Sequence, residues 1–241
     1  MKKLLLISAA LCLFATSAFA SGINLTVTAC PGGAGASGSA GTIDCATGGI
    51  ITMLAVFQPA EAISDLVGID AILDVTVNGD VTGPQNFWDF AVVNAGGLGT
   101  DHRRPAAGCS VGSVYTNTWN VGSAGSAAAG LVRGPSQVRL AAQCQRPSLL
   151  AVVANQKLFG FQMTIDPSTS TEQGGLANGC SSAAAVALEH IIPGSALGSP
   201  TTTLTSPDGA SGQGQVVTFN GATLPTKASR HSWGQLKSLY R

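Results

Sequence analysis

Charge and aromatics are what this sequence has least of. Only 10% of its 241 residues are Asp, Glu, Lys or Arg, and 5% are Phe, Trp or Tyr. So little charge excludes a coiled coil, whose flanking positions need dense charged residues. No C-x-x-C or H-x-x-x-H spacing occurs, and His102, His190 and His231 are scattered, which argues against a zinc centre. No cofactor is therefore expected. After the first fifteen residues no apolar run approaches bilayer length, so no membrane span is expected in a mature form. Twelve acids balance twelve bases, which argues against nucleic acid as a partner. No repeat recurs at a fixed period.

The N-terminus sets the compartment. Lys2 and Lys3 precede an apolar run over residues 4–15, and Ala18-Phe19-Ala20 supplies a small-x-small cleavage pattern. Residues 1–20 are read as a signal peptide cut between Ala20 and Ser21, and Cys12 leaves with it. The protein is then secreted, extracellular or at the cell surface, with the periplasm as a further compartment. Loss of Lys2 and Lys3 leaves a net charge near −2, unevenly spread. Lys227, Arg230, Lys237 and Arg241 crowd residues 227–241, which contain no acid.

Five cysteines remain, Cys30, Cys45, Cys109, Cys144 and Cys180, and export makes disulfides the expected state. Cys30 and Cys45 flank the glycine-rich "PGGAGASGSAGTID". Clasping that loop is worth on the order of 3 kcal/mol in the loop-entropy model, and a Cys109–Cys144 bridge about 4 kcal/mol. These two pairs are the expectation, with Cys180 left over, although Cys180 can replace either partner of the second. Asp70, Asp74, Asn78 and Asp80 lie close enough to suggest calcium, but their even spacing is that of the wet face of a strand.

Strand signals dominate. In "LVGIDAILDVTVNGDVTG", Ile69, Ala71, Leu73, Val75 and Val77 alternate with Asp70, Ile72, Asp74, Thr76 and Asn78, a period of two that ends in an Asn-Gly hairpin signal. "KLFGFQMTID" points Phe159, Phe161, Met163 and Ile165 one way. "VVTFNGATL" repeats the Asn-Gly tip. Shorter strand candidates are "INLTVTA", "IITMLAVFQ", "FWDFAVVN", "SQVRLAAQ" and "AAAVALEHII", each bounded by turn formers. Residues 59–67, "PAEAISDLV", read as one short interior helix, and 31–42, 94–100, 121–130 and 206–214 as surface loops. The fold expected over residues 21–226 is all-β: one antiparallel two-sheet β-sandwich of about nine strands.

Several of these stretches, "INLTVTAC", "LVGIDAILDV", "WDF", "VRL", "KLFGFQMTID", "NGC" and above all the terminal "WGQLKSLYR", resemble a group of uncharacterised exported proteins from environmental bacterial genomes. That resemblance implies no catalytic residue. Those relatives carry a cysteine where this chain has His102, and more near Cys180. Residues 50–93 are similar, more loosely, to cohesin-type and carbohydrate-binding sandwiches, a jelly-roll-like likeness of fold alone.

Chemistry is sparse. Glycan hydrolysis wants two carboxylates about 5 to 10 Å apart, and Glu61, Asp65, Asp89, Glu172 and Glu189 form no recognisable pair. A nucleophile-elbow pattern is met only imperfectly by Gly122-Ser123-Ala124-Gly125. Phe87, Trp88 and Phe90 read as core. Tyr115 and Trp119, with His102, Arg103 and Arg104, are the candidate ligand surface, although packing is the stronger reading for Trp119. In the tail, Trp233, Leu236 and Tyr240 share one helical face, with Lys237 and Arg241 late in the segment where cations suit the helix dipole. It is either a sorting or attachment signal or a packed terminal helix. The function expected is a secreted, non-catalytic structural, adhesive or surface-interaction protein whose partner is a cell-surface protein or polysaccharide. A carbohydrate-binding module and a secreted hydrolase are the alternatives.

Overall fold

The computed structural model describes residues 22–30, 39–81, 86–88, 98–99, 109, 114–119, 123–197, 202–205 and 215–223. The strands, in chain order, are β1 (Gly22–Val27), β2 (Ala40–Gly41), β3 (Ile51–Gln58), β4 (Ile63–Val77), β5 (Leu98–Gly99), β6 (Thr116–Asn117), β7 (Ala124–Gly134), β8 (Gln137–Val152), β9 (Leu158–Ile165), β10 (Ala184–Ser195) and β11 (Val216–Phe219). They form two sheets. One runs β1-β3-β9-β5, with β6 also on β9, and the other β2-β11-β10-β4-β8-β7. Most pairs are antiparallel, but β2 lies parallel to β11 and β6 parallel to β9, so the sheets are mixed rather than purely antiparallel. The free side of β9 is shared: β6 occupies its start, opposite Leu158 and Phe159, and β5 its end, opposite Thr164 and Ile165.

Period two makes the core. On β4 the odd positions from Ile69 to Val77 are buried while Asp70 is exposed and Ile72, Asp74 and Thr76 are half-buried. On β9, Phe161, Met163 and Ile165 are buried and Gln162 and Thr164 less so. Both inward rows belong to one apolar cluster that also takes Val138, Leu140 and Ala142 from β8 and Val186, Leu188 and Ile191 from β10. The alternation survives because a strand shifted by one residue would expose its whole apolar row.

Several expectations are corrected. Residues 59–67 are not a helix: β4 begins at Ile63 and pairs through Ile63–Val152 and Leu66–Leu150, because Ile63 and Leu66 find apolar partners on β8 that a solvent helix lacks. Of the span 121–130, Ala124 onward is strand, its Gly, Ser and Ala residues held by ladder bonds to β8. Asn78-Gly79 closes no hairpin. Both neighbours of β4, β8 and β10, come from far along the chain, and Gly79 only ends the strand at φ 149°. Helix is confined, among the described residues, to two 3-10 turns at Pro167–Thr169 and Thr171–Gln173. The predicted helical tail, residues 227–241 with Trp233, Leu236, Lys237, Tyr240 and Arg241, lies outside the described residues, as do the signal segment, Ala20 and Ser21.

The disulfides also differ from expectation. Cys30 bonds Cys109, and Cys45 bonds Cys180, while Cys144 is buried and joins neither disulfide. Cys144 sits on the inward row of β8 opposite Ile69, so the sheet that holds it keeps it from Cys109. Cys45 and Cys180 meet because their segments share a hub at Asn220. This residue takes the left-handed conformation at φ 53°, accepts from the Ile43 amide at 2.8 Å, and donates to the carbonyls of Cys180 and Ser182 at 3.0 and 3.2 Å. The Ser170 hydroxyl donates to the Cys45 carbonyl at 2.9 Å, adding a fourth tie to the same end. Asn220-Gly221 is thus a crosslinking turn, with Gly221 at φ 74°.

Candidate functional site

The six-stranded sheet turns one face away from the core cluster. Across β10, β4, β8 and β7 its rows read Ile192-Asp70-Gln143-Ser126 and His190-Ile72-Ala141-Ala128. The row from β11 to β7 reads Val216-Ala187-Asp74-Arg139-Leu131, and the next Thr218-Ala185-Thr76-Gln137-Gly134. Directly opposed residues point to one face, so register alone places the side chains that β11, β10, β4 and β8 contribute to these rows together. Alanines on β8 and β10 keep the face low around its centre. There, Arg139 grips Asp74 through two parallel hydrogen bonds, one of them Nε to Oδ1 at 2.6 Å, the fork geometry suited to guanidinium and carboxylate. The bond from Asp74 raises the Arg139 pKa above its ordinary value, with a smaller contribution from the charge of Glu189. Glu189 is the extra residue of a bulge between Leu188 and His190, which turns it out to solvent. Asp70 and Asp74 are thus the wet face that their spacing implied. Arg139 is the member that the sequence reading missed; its signal was the alternation of "QVRLAAQ", but its partner lies 65 residues away.

At one end of this face Gly68 and Gly194 lie opposite each other and line, with Asp70, Gln145 and Arg146, a groove of about 340 Å³. Burial pushes the Arg146 pKa down from its ordinary value. Its Nε donates to the Ser148 carbonyl at 3.0 Å.

Of the expected ligand surface, the two aromatic members are buried. Tyr115 and Trp119 are 5% and 6% exposed. The Trp119 indole N–H donates to the Gly160 carbonyl, and the Thr118 hydroxyl to that of Phe159. These bonds fasten the segment carrying β6 to β9, so both rings pack rather than present a stacking platform; Lys157 Nζ lies 5.6 Å from the centre of the Tyr115 ring. His102, Arg103 and Arg104 lie outside the described residues. Trp88, read as core, is fully buried, edge-on to Phe87, with its indole N–H on the Gly179 carbonyl at 3.0 Å.

Of the carboxylates weighed for catalysis, Glu61 and Asp65 line a pocket of about 90 Å³ with Ser64 and Thr202. Asp65 is buried and engaged: Ser195 Oγ donates at 2.6 Å, the Leu197 amide at 2.7 Å and Ser64 Oγ at 3.1 Å. These bonds, the Ser195 hydroxyl first, hold its pKa below the usual carboxylate value against the cost of desolvation. It works as an anchor for the turn after β10. A group with a depressed folded pKa contributes stability above its unfolded pKa and loses it as pH falls through the folded one. Chemical denaturation should therefore show Asp65→Asn destabilised at pH 7, with the gap to the wild type closing as pH drops below about 4. A gap independent of pH would contradict the anchoring role. Glu172 and Glu189 are exposed on separate elements, and Asp89 lies outside the described residues.

Among the described residues no group of three or more His, Cys, Asp and Glu side chains gathers as a metal site, and no helix is long and apolar enough to cross a membrane. No family model, curated protein or solved structure matches the chain.

Proposed function

We propose that the protein is a secreted, non-catalytic β-sandwich that acts as a structural or adhesive surface-interaction protein, meeting a cell-surface protein through the outward face of its six-stranded sheet. The observation that carries this reading is the low face itself: the partly exposed Ala141, Ala187 and Thr76 lie beside the paired Asp74 and Arg139. Alanines lose no rotamer freedom when covered, so a partner sheet or loop can seat on them at little entropic cost. The charge pair and the flanking Glu189, His190 and Asp70 supply orientation more than affinity. Two disulfides suit an oxidising compartment. Burial of Tyr115 and Trp119 removes the aromatic platform on which polysaccharide binding rested, which favours a protein over a glycan as partner.

Retention of the purified protein on the cells that secrete it tests this. Ala141→Arg and Ala187→Arg each place a long cation on the low face and should cut retention about tenfold, equivalent to roughly 1.4 kcal/mol, with the melting temperature nearly unchanged. Full retention by both folded variants would sink the proposal, and turnover of a glycan or peptide panel would replace it with an enzymatic one.

A further inference from the structure

β1 runs into a turn that suits its residue badly. Thr28 holds φ at 74°, and the Ala29 amide donates to the Val27 carbonyl at 2.9 Å. A bond between residues two apart across a central φ near +75° is the strained form of the γ-turn. The other non-glycine residues with positive φ among those described are Asn155 and Asn220, and asparagine tolerates that region. Threonine, being β-branched, does not. Thr28 is also exposed, so burial of its side chain does not offset the strain. The turn is held by its surroundings instead. The Thr28 amide donates to the Thr52 carbonyl at 2.9 Å, the Thr26 hydroxyl donates to the Ala29 carbonyl at 2.8 Å, and Cys30, two residues on, is bonded to Cys109.

We propose that the Cys30–Cys109 disulfide is a redox latch: it locks the strained turn, and a dithiol reductant opens it before Cys45–Cys180. The two bridges differ in both properties that govern exchange, folded-state strain and access. Beside Cys180 the positive φ falls on Gly179, where it carries no strain, whereas beside Cys30 it falls on Thr28. Cys109 is half-buried, while Cys45 and Cys180 are buried. Attack by the reductant's thiolate on Cys109 Sγ breaks the S–S bond and expels Cys30 as a thiolate, which takes up the proton the attacking thiol released. The reductant's second thiol then displaces Cys109, which is protonated in turn. Two electrons and two protons pass to the protein, and the reductant leaves as its own disulfide. Without the bridge Thr28 returns to negative φ. β1, which pairs with β3 alone among the described strands, loosens at this end.

The test takes purified protein with both bridges intact through rising ratios of reduced to oxidised dithiothreitol, without denaturant, and maps the alkylated cysteines by mass. Cys30 and Cys109 should be alkylated at a lower ratio than Cys45 and Cys180. Thr28→Gly, which adopts the turn without strain, should raise the ratio that half-opens Cys30–Cys109 about tenfold, near the lower end of what one strained residue stores, and leave Cys45–Cys180 unmoved. Thr28→Val keeps the β-branch without the hydroxyl and should open as the wild type does. Amide exchange should find the Thr28 N–H protected before opening and unprotected after it. Opening of Cys45–Cys180 first, a Thr28→Gly ratio equal to that of the wild type, or a Thr28 amide still protected after opening overturns the latch. A Thr28→Val shift as large as that of Thr28→Gly overturns it too, by tracing the effect to the hydroxyl.

Discussion

Replacing Cys45 and Cys180 together by alanine is expected to cost roughly 5 kcal/mol of unfolding free energy, near half of what a domain of this size commands. The crosslink spans 135 residues, so most of its contribution is loop entropy withheld from the unfolded chain. The Cys30–Cys109 bridge spans 79 residues and overlaps the same loop, so its removal should cost about 4.5 kcal/mol alone and the two effects should not add. Urea unfolding under non-reducing conditions measures both. The check on connectivity is Cys180→Ala by itself. If stability were untouched and a non-reducing digest showed Cys30 joined to Cys45, the arrangement around Asn220 would be wrong. Loss of Cys144, which crosslinks nothing, should be mild by comparison.

Gly68→Ala should be nearly as damaging, by roughly 3 kcal/mol, through the overpacking penalty at its upper end. A Cβ at Gly68 would lie 2.4 Å from the Cys144 carbonyl oxygen on the neighbouring strand. That oxygen is backbone within the β4–β8 ladder and cannot swing aside as a side-chain tip does. Opposite it, Gly194 offers an internal control, since a Cβ there meets nothing nearer than 3.6 Å. Gly194→Ala should therefore change stability by no more than a few tenths of a kcal/mol. Thermal and urea unfolding of the two variants side by side give the comparison. Equal effects would mean that the register shift between Leu66 and Gly68 relaxes to admit a methyl group.

What the chain discloses on its own is local. The alternation of Ile69 to Val77, of Phe159 to Ile165 and of "SQVRLAAQ" marks strands and their inward rows, because side chains two apart share a face whatever lies across from them. Gly79, Asn220 and Gly221 are likewise legible as backbone turning points, since their φ preferences need no partner. Trp88 could be assigned to the core for its size alone. Tertiary structure decided everything that joins distant segments. It seated Ile63 on Val152 and made strand of what reads as helix. It spent the Asn220 side chain on Ile43, Cys180 and Ser182 instead of a hairpin, and brought Cys180 rather than Cys30 within reach of Cys45. It also buried Tyr115 and Trp119 against β9 and set Arg139 beside Asp74. The physical reason is register. Which strands become neighbours depends on how two apolar faces close over each other, and that choice places groups 65 to 135 residues apart in contact with no mark in the sequence between them.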